Sequence, residues 1–299
     1  MNIYTIIVTY NAMTWIDKCL TCLSKSSIYT HIIIVDNLST DGTRKFIPQK
    51  FKDVIWLPQN KNMGFGQGNN IGINYALEQN ADFIFLLNQD AYVFPNTIEL
   101  LLKNSDGRSL IVPFQLNSEG KDFDYNYKRA MMKSIDPNCI FDSFVSKKEK
   151  EKYAIGETGA ASWFIPRNML VQIGGFNPLF FQYGEDNNYF QRIIYHKYSV
   201  YVVPKAHVIH DRIIQGNTEA FNRNKVRRDM LQICCNINIS TVKILIALTR
   251  LLARYYIYEL PRKKYIPGTY LKESFYLLTH FVNIHSSRKA EKTKKKNWL

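Results

Sequence analysis

No run of about 18 uncharged apolar residues occurs anywhere in this chain, so the sequence offers no candidate for a membrane-spanning helix. Nor does it open on a cleavable leader: Met1 runs almost at once into the β-branched stretch Ile3–Thr9, with no basic segment and no apolar core before it. Cysteine is scarce and odd in number, five in 299 residues, which excludes the paired framework of a small secreted domain. The single Cys-x-x-Cys, Cys19 to Cys22, has no second pair and no nearby His with which to build a zinc site. These absences lead us to expect a reducing, cytoplasmic setting. Also missing are the G-x-G-x-x-G spacing of a dinucleotide fold and any recognisable nucleic-acid-binding module.

What is present begins with a core. Hydrophobic residues make up 46% of the chain and charged residues 21%, a globular composition with enough apolar side chains for one large or two modest domains. The net charge of +14 is unevenly spread: residues 241–299 carry thirteen Lys or Arg against three Glu, a balance of +10, and leave +4 for the first 240 residues. Nucleic-acid binding calls for a basic stripe across the folded body, whereas a basic segment beside apolar helix suits an anionic membrane surface.

Along the chain, Ile3–Thr9 reads as a strand. Ile16, Cys19, Leu20 and Leu23 recur at i, i+3, i+4 and i+7, one face of a helix, and Ile32–Val35 is a second strand. Strand, helix, strand at this spacing is a βαβ unit, and the fold class is α/β. The second strand ends in Asp36 and a cluster of Asx and Ser/Thr residues that either turns the chain towards a helix near Thr43 or lets Asp36 meet a ligand. After a third strand, Val54–Leu57, the stretch 60–72 carries Gly64, Gly66 and Gly68; these glycines serve anion approach or close helix packing, with a helix expected from about Asn69. Phe83–Leu87 is a strand buried on both faces, and Asn88, Gln89 and Asp90 follow where it leaves the core. Asp90 is placed either to cap the next helix, from Asn96, or to hold a cation.

Further on, Leu110–Phe114 reads as a strand, and residues 121–152 show no clean period and read as a loop over the site. Gly156–Pro166 joins a small-residue bend to an apolar strand, and Gly174–Asn177 is a turn. Glu185 and Asp186 open a helix, a position that the helix dipole favours for acids with or without catalysis. Residues 201–204 and 206–211 read as two strands, with His210 at the second strand's end as either a structural residue or a ligand. Arg223–Arg228 suits a phosphate or the helix that follows. From Val242 to Tyr258, Lys243, Arg250 and Arg254 share one helical stripe amid apolar residues, a helix that packs on the domain or lies in a membrane interface; the run Lys292–Lys296 reads as a membrane contact or a solvated tail.

In this order, Val8-Thr9-Tyr10-Asn11, Val35-Asp36-Asn37, Asn62–Gly72, Leu87–Ala91, Gly159–Pro166, Gly174-Gly175-Phe176 and Tyr183–Asp186 resemble the inverting family 2 glycosyltransferases, especially the rhamnosyltransferase-like members. The resemblance covers about residues 3 to 215 and implies the GT-A fold, a Rossmann-like, mostly parallel central sheet flanked by helices. It implies a GT-A domain over 1–240, with a nucleotide-binding half at 1–105 and an acceptor half at 106–240, followed by a helical, basic C-terminal extension at 241–299. It sets a UDP- or dTDP-sugar against Thr9, Tyr10, Asn11, Asp36, Asn37, Asn62, Gly64, Gly66, Asn70, Asn88 and Gln89. Asp90, with His210, would hold Mg²⁺ or Mn²⁺; Asp186 would be the general base and Glu185 its orienting neighbour. The acceptor would be a glycan or a lipid-linked saccharide of bacterial surface polysaccharide synthesis, met by a cytoplasmic enzyme peripheral to the inner face of the plasma membrane.

Two positions depart from the family's pattern: Asn88 stands where its metal motif often begins with Asp, and Asn188 where it often repeats an acid two residues after the base. Rival readings are a nucleotidyltransferase, a basic nucleic-acid-binding protein and a binding-only relative that lost the chemistry.

Overall fold

The computed structural model describes residues 1–134, 150–212, 219–255, 257 and 267–299. Its first third alternates strands β1 (Ile3–Thr9), β2 (His31–Asp36), β3 (Ile55–Pro58) and β4 (Phe83–Leu87) with helices α1 (Ile16–Leu23), α2 (Thr43–Lys50) and α3 (Gly64–Glu78). Then come β5 (Ala91–Val93), α4 (Thr97–Lys103), β6 (Leu110–Leu116), α5 (Tyr125–Ser134), β7 (Tyr153–Ala154), β8 (Ser162–Pro166), α6 (Arg167–Ile173), α7 (Glu185–Tyr195) and β9 (Val200–His210). The chain closes with α8 (Glu219–Cys235), α9 (Thr241–Arg254), α10 (Pro267–Thr279) and α11 (Phe281–Glu291).

The described strands form one sheet in the order β3-β2-β1-β4-β8-β6-β9-β5, with β7 paired to β9. The N-terminal half of the sheet, β3-β2-β1-β4, is parallel throughout. In the other half β8 runs antiparallel to both β4 and β6, while β6 and β9 are parallel, so the sheet as a whole is mixed. Because successive side chains point to opposite faces, Ile6, Ile33, Ile84 and Leu86 pack with α3, α6 and α7, while Ile7, Ile34, Phe85 and Leu87 pack with α1 and α4. Both faces are covered, which is why these strands read as unbroken apolar runs.

Several expectations change. The helix expected from Asn69 begins at Gly64, and the glycine stretch is therefore helix. A Cβ at Gly68 would lie 2.8 Å from Val8 and one at Gly72 2.5 Å from Ile6, so these glycines let α3 lie directly on β1. The two strands expected at 201–204 and 206–211 are one, β9: Val200–Val203 pairs with Leu110–Pro113, and after a slip His207–Ile209 pairs with Phe114–Leu116. Pro204, which has no N–H to donate, sits in the stretch that absorbs the slip. Beyond it, β9 pairs with β5 and sets His210 opposite Ala91. Helices α5 and α6 and strand β5 were not expected. The loop expected over the site falls partly at 135–149, and Tyr256 and Tyr258 close the expected C-terminal helix; all of these lie outside the described residues.

The segment 241–299 folds back on the rest of the chain. Ile244, Leu248 and Leu251 of α9, Tyr255 just after it and Leu277 of α10 pack with α8, and Arg227 of α8 makes a two-bond ion pair with Glu273 of α10 at 2.6 and 3.2 Å. The basic run at 292–296 is exposed to solvent, with Lys296 donating to Asn74, and the residues after it are tied down: the Asn297 carbonyl accepts from the Gly175 N–H at 2.9 Å, and Leu299 reaches the main core. No helix among the described residues is long and apolar enough to cross a membrane.

Candidate active site

The carboxyl ends of β1, β2 and β4 open on one edge of the sheet, where an open α/β fold collects its ligands. Thr9 and Asp36 face each other in register, and the Thr9 hydroxyl donates to Asp36 at 3.0 Å. Asp36 also accepts from the Ser39 N–H and hydroxyl and pairs with Arg44 at 3.2 Å, and both Thr9 and Asp36 are fully buried. The pair thus lies at the floor of this edge and shapes the loop above it. That loop is knitted by side chains: Asn11 accepts from the Thr40 N–H, Ser39 accepts from the Asn11 N–H, and Asn37 bridges the carbonyl of Gly64 and the N–H of Met63. Asn62 accepts from the Gly64 N–H at 2.8 Å. Gln89 grips Tyr10 through both its N–H and its carbonyl, tying the exit of β4 to the exit of β1. Tyr10, Asn11, Asn62, Asn88, Gln89 and Asp90 keep access to solvent; Asn37, Gly64, Gly66 and Asn70 are buried. Asn70 exchanges two 2.7 Å bonds with the backbone of Phe176, joining α3 to the segment before α7. Non-glycine residues with left-handed backbone stand on this rim, Asn11 (φ 51°), Leu38 (φ 65°) and Tyr183 (φ 66°), as residues at binding sites often do.

At the end of β4, the pairing of β5 with β9 brings His210 Nε2 to 3.3 Å from Asp90 Oδ1, and the Asp211 N–H donates to the Asp90 carbonyl. A guanidinium only donates, so the 2.9 Å contact of Arg212 with His210 Nδ1 makes that nitrogen the acceptor and leaves the ring proton on Nε2, directed at Asp90. His210, expected as a metal ligand, is arranged here as the partner of Asp90; ligation through Nε2 would require the other tautomer and release of Arg212. Arg212 is itself held by Asp124 at 2.9 Å. Burial pushes the Asp90 carboxyl up, but the hydrogen bond from His210 and the nearby Arg212 outweigh it and hold the group below the usual carboxylate range.

Asn88 brings a buried amide oxygen without a hydrogen-bond partner two residues from an ionised carboxylate; its Nδ2, 3.4 Å from His210 Nε2, faces another donor, so turning the amide over would hand that oxygen the His210 N–H. Asn88 and Asp90 therefore fit a hard divalent cation, Mg²⁺ or Mn²⁺. Among the described residues no cluster of three or more His, Cys, Asp or Glu side chains is placed to hold a metal ion.

Across the Gly159–Ala161 loop, Gly184 (φ 93°) precedes α7, and a Cβ there would meet Arg228 at 2.6 Å and Gln232 at 2.9 Å. Glycine is thus required for the turn that aims Glu185 and Asp186. Burial, then the charge of Asp186, pushes Glu185 up to about 8. Asp186 is also raised by burial, against the pull of the Asn187 N–H and Arg228. The result is one carboxyl that keeps its proton beside one with a strengthened affinity for a proton, which is what a general base needs. The loop Gly159–Ala161 lies between this pair and the end of β4: the Ala161 carbonyl accepts from the Asn88 N–H, and a Cβ on Gly159 would stand 3.9 Å from Asp186 Oδ2.

Asn188, the second departure from the family pattern, faces away from the cleft and donates to Glu291 of α11 at 2.9 Å. Neither Glu291 nor Arg212 stood out in the sequence. The signal for Glu291 was slight, one acid in a basic tail; for Arg212 it was adjacency to His210 and Asp211.

The solved structures that share this fold include S. aureus TarS, 13% identical with a TM-score of 0.55 over 86% of this chain and 44% of that one. Another is GalNAc-T7 with UDP, GalNAc and Mn²⁺, 15% identical with a TM-score of 0.57 over 77% and 48%. Among curated relatives, the low-salt glycan biosynthesis hexosyltransferase Agl10 of Haloferax volcanii is 26% identical over 54% of this chain, which spans 53% of that protein. The N-acetylglucosaminyl-diphospho-decaprenol L-rhamnosyltransferase of Mycobacterium tuberculosis is 22% identical over 69% of this chain and 74% of its own length. The dTDP-rhamnosyl transferase RfbF of Shigella flexneri is 33% identical over 31% and 30%. Residues 4–171, over half the chain and reaching from β1 through the Asp90 turn into α6, match the profile of glycosyl transferase family 2, and to that family this chain belongs.

Proposed function

We propose that the chain is an inverting glycosyltransferase that moves a sugar, rhamnose or another hexose, from a UDP- or dTDP-sugar onto a glycan or lipid-linked glycan. The observation that carries this reading is the placement of Asp186 and the Asn88–Asp90 turn on either side of the Gly159–Ala161 loop, in a member of glycosyl transferase family 2. The names of the mycobacterial and Shigella relatives support the choice of sugar and of a diphosphate-linked lipid acceptor.

In this reading the nucleotide lies over Thr9 and Asp36, against Asn11, Asn37 and Asn62, with Gln89 and Tyr10 bracing the rim. Asp186 takes the proton from an acceptor hydroxyl, that oxygen forms a bond to the anomeric carbon, and the bond to the diphosphate breaks on the opposite face with its electron pair leaving on phosphate oxygen. One displacement inverts the centre. Glu185, protonated, orients the acceptor or Asp186. Asp90 and Asn88 would hold Mg²⁺ or Mn²⁺, which when bound neutralises charge on the leaving diphosphate. The enzyme would work at the cytoplasmic face of the plasma membrane in surface polysaccharide synthesis, with the basic segment 241–299 towards the lipid.

Thermal-shift titration against UDP- and dTDP-sugars, with and without Mn²⁺, should find one donor that stabilises the chain more strongly with the metal. Transfer is then read as nucleotide release in the presence of lipid-linked acceptors. Asp186→Asn is expected to abolish transfer and leave the donor's thermal shift intact; full turnover in that variant would sink the assignment of the base.

A further inference from the structure

Successive residues of a helix turn by about 100°, so Asn188 lies about 200° round α7 from Asp186 and faces its back. There its fully buried amide donates to Glu291 Oε1 at 2.9 Å, and the same oxygen accepts from Asn177 Nδ2 at 2.7 Å. Asn177 also donates to Ser287 of α11, and His196 at the end of α7 meets the Glu291 carbonyl at 2.8 Å. The first turn of α7 is thus fastened to α11 behind the cleft, just as Asn187 fastens it to Gln232 of α8 and to Glu157 on its flank. Apolar contact already docks α11 on α8 through Ile284, so a buried carboxylate adds a directional fastening at a desolvation cost. Its second oxygen, Oε2, has no partner in the structure.

We propose that Glu291 is a positioning residue for glycosyl transfer: by holding Asn188 it sets the first turn of α7 and so the direction in which Asp186 meets the acceptor. The C-terminal segment then completes the acceptor side of the site. This rests on the reading of Asp186 as the base.

The test exchanges the partners in the full-length chain. Asn188→Asp sets two carboxylates against each other in a buried pocket and should lower kcat at least about tenfold, the scale of a small misplacement of a reacting group, while the donor KM and calorimetric binding of UDP or dTDP, whichever the parent binds, stay unchanged. Glu291→Gln keeps an oxygen for Asn177 and should be milder. The double variant Asn188→Asp/Glu291→Gln restores one acid and one amide with roles exchanged, and kcat should return to within about threefold of the parent. Hydrogen exchange of the amides of 185–190 should follow the same order. Parent-like kcat in Asn188→Asp, or a double variant no better than that single one, would overturn the proposal. Asp186→Asn serves as the control: turnover there defeats the base reading itself, and loss there beside normal Asn188→Asp defeats only this inference.

Discussion

Glu185 and Asp186 are neighbours in sequence and in space, yet the chain treats their carboxyls differently. Glu185 is buried, with one oxygen unpartnered, whereas Asp186 is only partly buried. A buried carboxyl with its proton affinity raised ties stability to pH in a definite sense. Between its ordinary value of 4.5 and about 8, Glu185 keeps a proton in the native chain that the unfolded chain has released. Its contribution is therefore full below the lower value and is lost as pH rises through the upper one. Thermal melts should show Tm falling across this window, and Glu185→Gln should flatten that fall, with Asp186 and Glu291 keeping part of it. Identical slopes in parent and variant would contradict the burial argument. Both acids were legible in the sequence as an acidic pair opening a helix; the difference between them was not, because it depends on what packs over each.

The helices show a similar division. The apolar face of α1 was readable from spacing, since local periodicity and the buried face coincide. In α3 glycine chemistry suggested a loop, and the close approach of β1 made it a helix. The last three helices keep an apolar flank uncovered: Val242 and Leu245 on α9, and Leu271, Phe275, Leu278 and Val282 running at i, i+4, i+7 and i+11 through α10 into α11, are each more than 60% exposed. Lys243, Arg250 and Lys272 stand on the same helices, while Glu273 and Glu291 are turned inward and only 1% exposed. A surface of this kind suits anionic lipid, so the chain should co-sediment with phosphatidylglycerol vesicles and not with phosphatidylcholine alone. The pair Leu271→Glu and Phe275→Glu should abolish that binding and leave the melting temperature within a few degrees; undiminished binding would remove this face from consideration.

Across the whole molecule the segment Gly174–Asn177 is where the parts meet. Asn70 of α3 bonds Phe176, Arg192 of α7 donates to the carbonyls of Ile173 and Gly175, Asn297 bonds Gly175, and Ser287 and Glu291 bond Asn177. Asn70→Ala should remove two buried bonds and strand the Phe176 N–H and carbonyl, a loss of about 2–4 kcal/mol by chemical denaturation; a change below about 0.5 kcal/mol, the range of an ordinary surface substitution, would show that the junction is not held there. By itself the sequence determined the α/β class, most of the strands, the helix carrying Asp186 and the turn carrying Asp90, because these follow from short-range periodicity, turn chemistry and residue type. Only the tertiary structure decided that β5 and β9 bring His210 to Asp90, that Arg212 orients its ring, and that Glu291 lies behind the base. The contacts of His210 with Asp90 and of Asn188 with Glu291 join residues a hundred or more positions apart and depend on strand register and helix docking that no local pattern encodes. Arg212, though next but one to His210, is held in place by the distant Asp124.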